Sequence, residues 1–373
     1  MVCEDTDHGG SKNSMKILIL IQRPQARGAE LLACHLGEAL IQRGYEVNLI
    51  TLFQGDFELP FSGETHHLKR NPSRRLFDFG AWKSINKIVR SFNPDVVQAM
   101  GADTLKFMVF SQLVFGWKGK MIFCNGSIVS SYIRSNRVRL FNQWLYNRID
   151  GIVAISMASK LDFKKIFSFD FLHDVIPVGI LIPEKISLKE PPPYPVLVHI
   201  GGFTFEKNHP ELLRVFMGVL SENSNVKLLL IGEGPLRSQM EELVEQKGIT
   251  HAVSFLGAHQ DPFSQVPKNA ILILTSKIEG LPAVIGEAFV RRVPVVAYDV
   301  GGVKELLKTN QTGSLIPANE PDKMVEGILE LMEMNPNDLS LILDAADQFA
   351  RENLDVKEVA IQYERFYAKL LPI

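Results

Sequence analysis

The sequence predicts an α/β protein made of two similar halves, each a parallel sheet wrapped in helices. Three observations carry this. Short apolar runs alternate with amphipathic runs from residue 15 onward. A proline cluster, PPPYP at 191–195, interrupts the alternation. After it the opening pattern of strand, loop, helix and strand begins again. Strands that alternate with helices call for parallel pairing through right-handed crossovers. The 373 residues suffice for two ordinary domains with large cores.

The elements follow in order. The first fourteen residues, MVCEDTDHGGSKNS, are polar and aperiodic and predict a disordered extension. They lack the basic-then-apolar pattern of a signal peptide. KILILI at 16–21 reads as a strand buried on both faces. A loop with Arg27-Gly28-Ala29-Glu30 leads into an amphipathic helix that Gly44 ends. YEVNLITL, DVVQAM, KMIFCN and GIVAIS supply further strands of the first half. FMVFSQLVFGW at 107–117 is too short to span a bilayer and reads as a buried helix. His66-His67 reads as exposed loop. The second half has VLVHIGG, the helix PELLRVFMGVLSE, VKLLLIG, AILILT and VPVVAYDV. DVKEVAIQYERFYAKLL closes the chain as an amphipathic helix. The expected division is an extension over 1–14, domains over 15–185 and 186–352, and a terminal helix over 353–373.

Composition excludes some functions. Net charge is −2, so whole-chain charge does not argue for nucleic acid. The three cysteines have no metal-type spacing and suggest a reducing compartment.

The chemistry concentrates in EGLPAVIGE, 279–287, between two buried strands. Proline suits the first helical position, so a helix is expected from Pro282 with Glu287 on its second turn. The two carboxylates then lie roughly 8–17 Å apart. A glycosidase nucleophile pair needs about 5–5.5 Å. A long ligand gripped at both ends fits better, with the helix N-terminus facing its negative middle. The plain alternative is one solvated glutamate and one on a helix face.

GGFTFEKNHP, 201–210, follows a strand and opens a helix. Lys207 beside a helix start, capped by Asn208 or His209, makes a diphosphate site in physical terms; otherwise it is a solvated loop lysine. GEGPLR, 232–237, offers Gly232 and Gly234 but Arg237 where a dinucleotide fingerprint needs glycine. Gly301-Gly302 permits close approach of backbone, and Glu305 either orients a ligand or starts a helix. In the first half, Gly28 offers backbone donors and Asn125-Gly126-Ser127 ends a strand at a crevice position. Glu30 reads as a first-turn helix residue and His199 as a satisfied core histidine. The segment 133–150 interleaves four arginines with Leu140, Phe141, Trp144, Leu145 and Tyr146. It reads as a membrane-surface contact or as an amphipathic helix packed on its own domain.

Taken together, HIGGFTFEKNH, LLLIGEGPL, VSFLGAH, LTSKIEGLPAVIGEA and VPVVAYDVGGVKEL resemble, in order and spacing, a family 4 retaining glycosyltransferase, also called glycosyl transferases group 1. RGAELLACHLGEALIQRGYEVNLITL, DVVQAMGA and VAIS extend the likeness through the first half. The resemblance implies the GT-B architecture: two Rossmann-like domains facing across a cleft, with the last helix returning to the first domain. It implies a nucleotide-diphosphate sugar donor, a glycan or lipid-linked acceptor in polysaccharide or lipopolysaccharide synthesis, and a cytoplasmic position at the inner face of a membrane. No cofactor, metal or nucleic acid is implied. Carried over, Glu279 binds sugar hydroxyls, Glu287 the ribose hydroxyls and Lys207 the diphosphate. Gly202, Gly232, Gly280, Leu281 and Ala283 line the donor, and Gly28 meets it from the other domain. Glu279, Lys207 and Asn125 are the catalytic candidates. The family usually carries an arginine where this chain has Gly202, a histidine where it has Asn125, and asparagine at Val178. Lys277 and Arg27 are candidates to replace the missing arginine. Rivals are a nucleotide-sugar epimerase or hydrolase, and a non-catalytic binder.

Overall fold

The computed structural model describes residues 14–74 and 77–371. Cys3 and all but the last residue of the expected extension lie outside them. The first half runs β1 (Lys16–Ile21), α1 (Gly28–Gln42), β2 (Glu46–Phe53), β3 (Thr65–Arg70), α2 (Phe79–Phe92), β4 (Val96–Ala99), α3 (Ala102–Phe115), β5 (Lys120–Asn125), α4 (Asn136–Tyr146), β6 (Gly151–Ala154), α5 (Met157–Ile166) and β7 (Leu172–Val175). The second runs β8 (Val196–Ile200), α6 (His209–Glu222), β9 (Lys227–Ile231), α7 (Arg237–Gln246), β10 (Val253–Gly257), β11 (Ala270–Leu274), α8 (Ala283–Phe289), β12 (Val295–Tyr298), α9 (Val303–Leu306), β13 (Ser314–Ile316) and α10 (Pro321–Glu333). Two long helices, α11 (Pro336–Leu354) and α12 (Val356–Leu370), finish the chain.

Every strand pairing is parallel. The first sheet has the order β3-β2-β1-β4-β5-β6-β7, and the second β10-β9-β8-β11-β12-β13. Helices cover both faces, so central strands are apolar along their whole length: Ile17 to Ile21 and Ala270 to Leu274 are all buried. In each sheet the strand order reverses once, between β1 and β4 and between β8 and β11. At such a reversal the loops leaving the two strands diverge, and a crevice opens beyond their carboxyl ends.

α12 packs on the first sheet's side of the molecule. Arg43 makes a two-bonded ion pair with Glu364, and the Tyr367 hydroxyl donates to Gln98 Oε1 at 2.8 Å. Its buried Val359, Tyr363 and Phe366 are the apolar stripe of the tail.

Three expectations are corrected. His66 and His67 lie in edge strand β3, where His67 Nδ1 meets Thr51 Oγ1 at 2.9 Å; an edge strand carries polar residues because one side faces water. α3 is buried along only part of its length, since Leu113 and Val114 are exposed. Pro282 is the residue before α8 rather than its first residue. No helix among the described residues is long and apolar enough to cross a membrane.

Candidate active site

The second crevice is built by the loops after β8 and β11. The loop after β8 places Lys207 just ahead of α6. Asn208, with φ 54° and ψ 47°, turns the chain into that helix. Its side chain does not cap the helix but donates to the Thr275 carbonyl at 3.2 Å, tying the two loops together. The loop after β11 brings Glu279 opposite, and Lys207 Nζ donates to Glu279 Oε1 at 2.6 Å. Glu279 is buried. Thus a lysine and a carboxylate 72 positions apart meet at the switch point.

Glu287 sits on the second turn of α8, half-buried. Burial pushes its carboxyl above the usual range; nearby Arg291 opposes this and Asp261 adds to it. Leu281 is buried and Ala283 partly open. α8 has only seven residues, whereas α6 has fourteen, so α6 offers the fuller helix dipole at the crevice. Behind Lys207, His199 Nδ1 donates to the Ile273 carbonyl at 2.9 Å while its buried Nε2 has no partner among the described residues, so this histidine is only half satisfied, and His209 stacks on Phe203. Burial lowers the His199 pKa to about 4 and the His209 pKa to about 2.

The first domain forms the opposite wall, and it comes very close. A Cβ on Gly280 would lie 2.3 Å from the Gly126 carbonyl oxygen, so only glycine fits. Gly301 has φ +55°, and a Cβ there would lie 1.8 Å from the Glu279 carbonyl oxygen. The glycine pair therefore seats the backbone that carries Glu279. Gly28 is the first residue of α1 and faces open space, with nothing within 4 Å of its Cβ direction.

Arg27 reaches across. A Cβ on Gly202 would meet the Glu233 carbonyl oxygen at 3.3 Å, and Arg27 Nε of the first domain stands 3.9 Å from the same point. The Arg27 charge is also one of the influences that lower the Glu206 pKa. There burial pushes upward, and hydrogen bonds from its own amide, Thr204 and Tyr132 outweigh it. Lys277, the other candidate, lies over the Phe205 ring at 4.7 Å. Asn125 is buried at the end of β5, and its amide is directed at the Ser159 carbonyl, 3.5 Å away, rather than toward the Lys207–Glu279 pair. Gly232 packs its backbone against Gly201 and so supports the loop without presenting a side chain.

Two contacts were missed. Tyr132 donates its hydroxyl to Glu206 Oε1 at 3.2 Å across the cleft. Glu305 accepts from the Met157 and Ala158 amides, both at 2.8 Å, and so caps the first turn of α5 in the other domain. Its carboxylate therefore serves α5 as well as the first turn of its own short helix. The segment 126–135, which carries Tyr132, has no local pattern that points across a cleft. The Gly-Gly before Glu305 was the one available signal.

Glu30 is buried with Gln25 donating to it at 2.9 Å. Burial pushes its carboxyl up, as suits a first-turn core residue. No three His, Cys, Asp or Glu gather as a metal site among the described residues.

Residues 183–348 match the family described as glycosyl transferases group 1, and residues 26–180 match glycosyltransferase family 4. The chain is 22% identical over 349 residues to an uncharacterized glycosyltransferase of Haemophilus influenzae, covering 91% of this chain and 96% of that one. It is 25% identical over 308 residues to the amylovoran biosynthesis glycosyltransferase AmsD of Erwinia amylovora, covering 79% and 84%. Anabaena HepE, solved in complex with UDP-glucose, shares the fold with a TM-score of 0.78 at 20% identity, over 95% of this chain and 100% of that one.

Proposed function

The chain belongs to the glycosyl transferases group 1 family, has the GT-B fold and is a glycosyltransferase; from that premise we propose a retaining enzyme that moves a sugar from a nucleotide-diphosphate sugar to a hydroxyl of a glycan or glycolipid. The observation that carries this reading is the Lys207–Glu279 pair at the switch point of the second sheet. When the donor enters, Lys207 turns to the diphosphate. Glu279, freed of its partner, accepts hydrogen bonds from sugar hydroxyls. Glu287, one turn into α8, takes the ribose hydroxyls, and the backbone from Gly280 to Ala283 lines the space between. Gly28 closes on the diphosphate from the other wall.

As the bond from the anomeric carbon to the diphosphate breaks, negative charge grows on the leaving oxygen. Lys207, Arg27 and the amide end of α6 stabilise that charge, without a metal ion or cofactor. The acceptor hydroxyl attacks on the same face, and its proton passes to the departing phosphate oxygen. Close packing of Gly280 on Gly126 keeps water from the reacting carbon. Asn125 shapes the wall behind this space rather than touching the reacting atoms.

Cell-surface polysaccharide or lipopolysaccharide is the acceptor class we favour, with the enzyme in the cytoplasm at the inner face of a membrane. The name of the AmsD relative, in amylovoran biosynthesis, supports it. HepE binds UDP-glucose, which supports a nucleotide-sugar donor. The test is incubation with labelled nucleotide sugars, with and without glycan acceptors. Transfer that requires an acceptor supports the reading. Acceptor-free conversion favours an epimerase or hydrolase, and binding without turnover favours a binder.

A further inference from the structure

The net charge of the chain conceals a strong local imbalance. Between Lys69 and Ile149 the sequence holds 14 lysines and arginines, three aspartates and no glutamate. Those three aspartates are already engaged: Asp78 with Arg70, Asp95 with the Lys16 amide, and Asp103 with Lys106 and Gln22. The same stretch builds α2, α3 and α4, and these three helices expose apolar side chains. Phe77 is 76% exposed, Phe79 59%, Leu140 59%, and Leu113 and Val114 each 47%.

The rings form one continuous layer. Phe77 meets Phe110 at 6.4 Å, Phe110 stacks with Phe141 at 6.4 Å, and Phe141 stacks with Trp144 at 6.1 Å. Phe79 joins at Phe115, 5.6 Å away. Cations stand on the same faces. Phe79, Lys83 and Lys87 are spaced four apart along α2 and all exposed. Arg137 and Phe141 share a face of α4, and the Arg148 guanidinium lies 3.7 Å over the Trp144 ring. A rigid apolar layer held by one domain and fringed with unopposed cations matches the boundary between acyl chains and anionic headgroups. A protein partner would need an acidic rim around a hydrophobic centre; a second copy of this face would bring like charges together.

We propose that the face made by α2, α3 and α4 docks on a bilayer containing anionic phospholipid. This deepens the peripheral position proposed above and rests on that part of the reading, not on the transfer chemistry. It replaces the single segment 133–150 with a surface drawn from three helices.

The experiment is co-sedimentation of the full chain with vesicles of pure phosphatidylcholine and with vesicles holding about one third phosphatidylglycerol. Binding should be at least about tenfold stronger to the anionic vesicles and should fall steeply as salt shortens the screening length. Phe77→Ser with Phe79→Ser should lose most binding to anionic vesicles. Lys83→Glu with Lys87→Glu and Arg137→Glu should lose the preference for anionic lipid. All five positions are at the surface, and donor binding by each variant, measured in parallel without vesicles, should match the parent chain. Donor binding that survives while vesicle binding is absent overturns the docking proposal alone. Equal binding to both vesicle types also overturns it. So does a dimer that the Phe77/Phe79 variant disperses, in a chain that ignores vesicles.

Discussion

Replacing Lys207 by methionine should damage both stability and donor binding, and the two effects can be separated. Lys207 is the only hydrogen-bond partner of the Glu279 side chain among the described residues. The side chain of Glu279 is 8% exposed and that of Lys207 23%. Breaking a fully buried pair from one side costs about 3–5 kcal/mol, because the remaining charge is left without compensation. Lys207 opens partly to water, so we halve this to about 2 kcal/mol for Lys207→Met. Glu279→Gln leaves the more exposed member and should cost less than about 1 kcal/mol. The double variant should recover most of the loss, giving a coupling of about 1–2 kcal/mol in a urea-unfolding cycle. Donor affinity should behave differently. Lys207→Met removes charge-assisted bonds to the diphosphate worth about 1.5–3 kcal/mol, a weakening of roughly 10–150-fold by calorimetry with nucleotide sugars. The double variant should not regain it. A Lys207→Met chain with the parent urea midpoint and a donor affinity within about twofold would refute the reasoning on both counts.

Arg27→Ala should slow transfer by about 10–100-fold while leaving the unfolding midpoint nearly unchanged, since the side chain is exposed and its proposed role is on leaving-group charge; steady-state kcat checks this. Glu30→Gln, inside the first turn of α1, should leave donor affinity as it is, and calorimetry would expose a direct role. Glu305→Ala removes the cap on α5 and should loosen the closed domain arrangement by about 1–2 kcal/mol, seen as a larger radius of gyration in solution scattering. The buried histidines predict acid sensitivity. Their folded pKa values, about 4 for His199 and about 2 for His209, lie below the unfolded 6.5. The unfolded chain therefore binds more protons, and stability falls as pH drops below 6.5 toward 4. The slope is about 1.4 kcal/mol per pH unit for each histidine. His209→Phe should remove about half of it, and an unchanged urea midpoint between pH 7 and 5 would contradict the mechanism.

The parts of this protein that a reader of its sequence can see are those whose geometry is local. KILILI and AILILT announce themselves because a parallel strand covered on both faces must be apolar at every position. EGLPAVIGE and EKNHP can be located because a strand end, a turn and a helix start occupy neighbouring positions. β3 escaped notice because its sequence, THHLKR, serves an edge with one wet side and has no apolar run to betray it. The exposed aromatic layer escaped for the opposite reason. Helical spacing shows that Phe110 and Phe141 are apolar positions, but only the assembly of α2, α3 and α4 shows that their layer continues to the surface at Phe77 and Phe79.

The contacts that close the cleft are illegible for a deeper reason: each residue's partner belongs to the other domain. Glu305 lies 148 positions from Met157, and Tyr132 lies 74 from Glu206. Neither residue violates a local rule, so nothing local marks it. With its carboxylate engaged by two α5 amides, Glu305 ties the two domains together, and the proposed reading leaves donor recognition to Glu279 and Glu287. The same geometry bears on Gly202. Gly202 supplies no charge of its own, and a Cβ there would stand 3.9 Å from Arg27 Nε of the first domain. On the proposed reading, this charge reaches the leaving group only while the two domains are closed. On that reading, stabilisation of the leaving group is tied to closure itself, because an open cleft would hold the donor without the charge of Arg27.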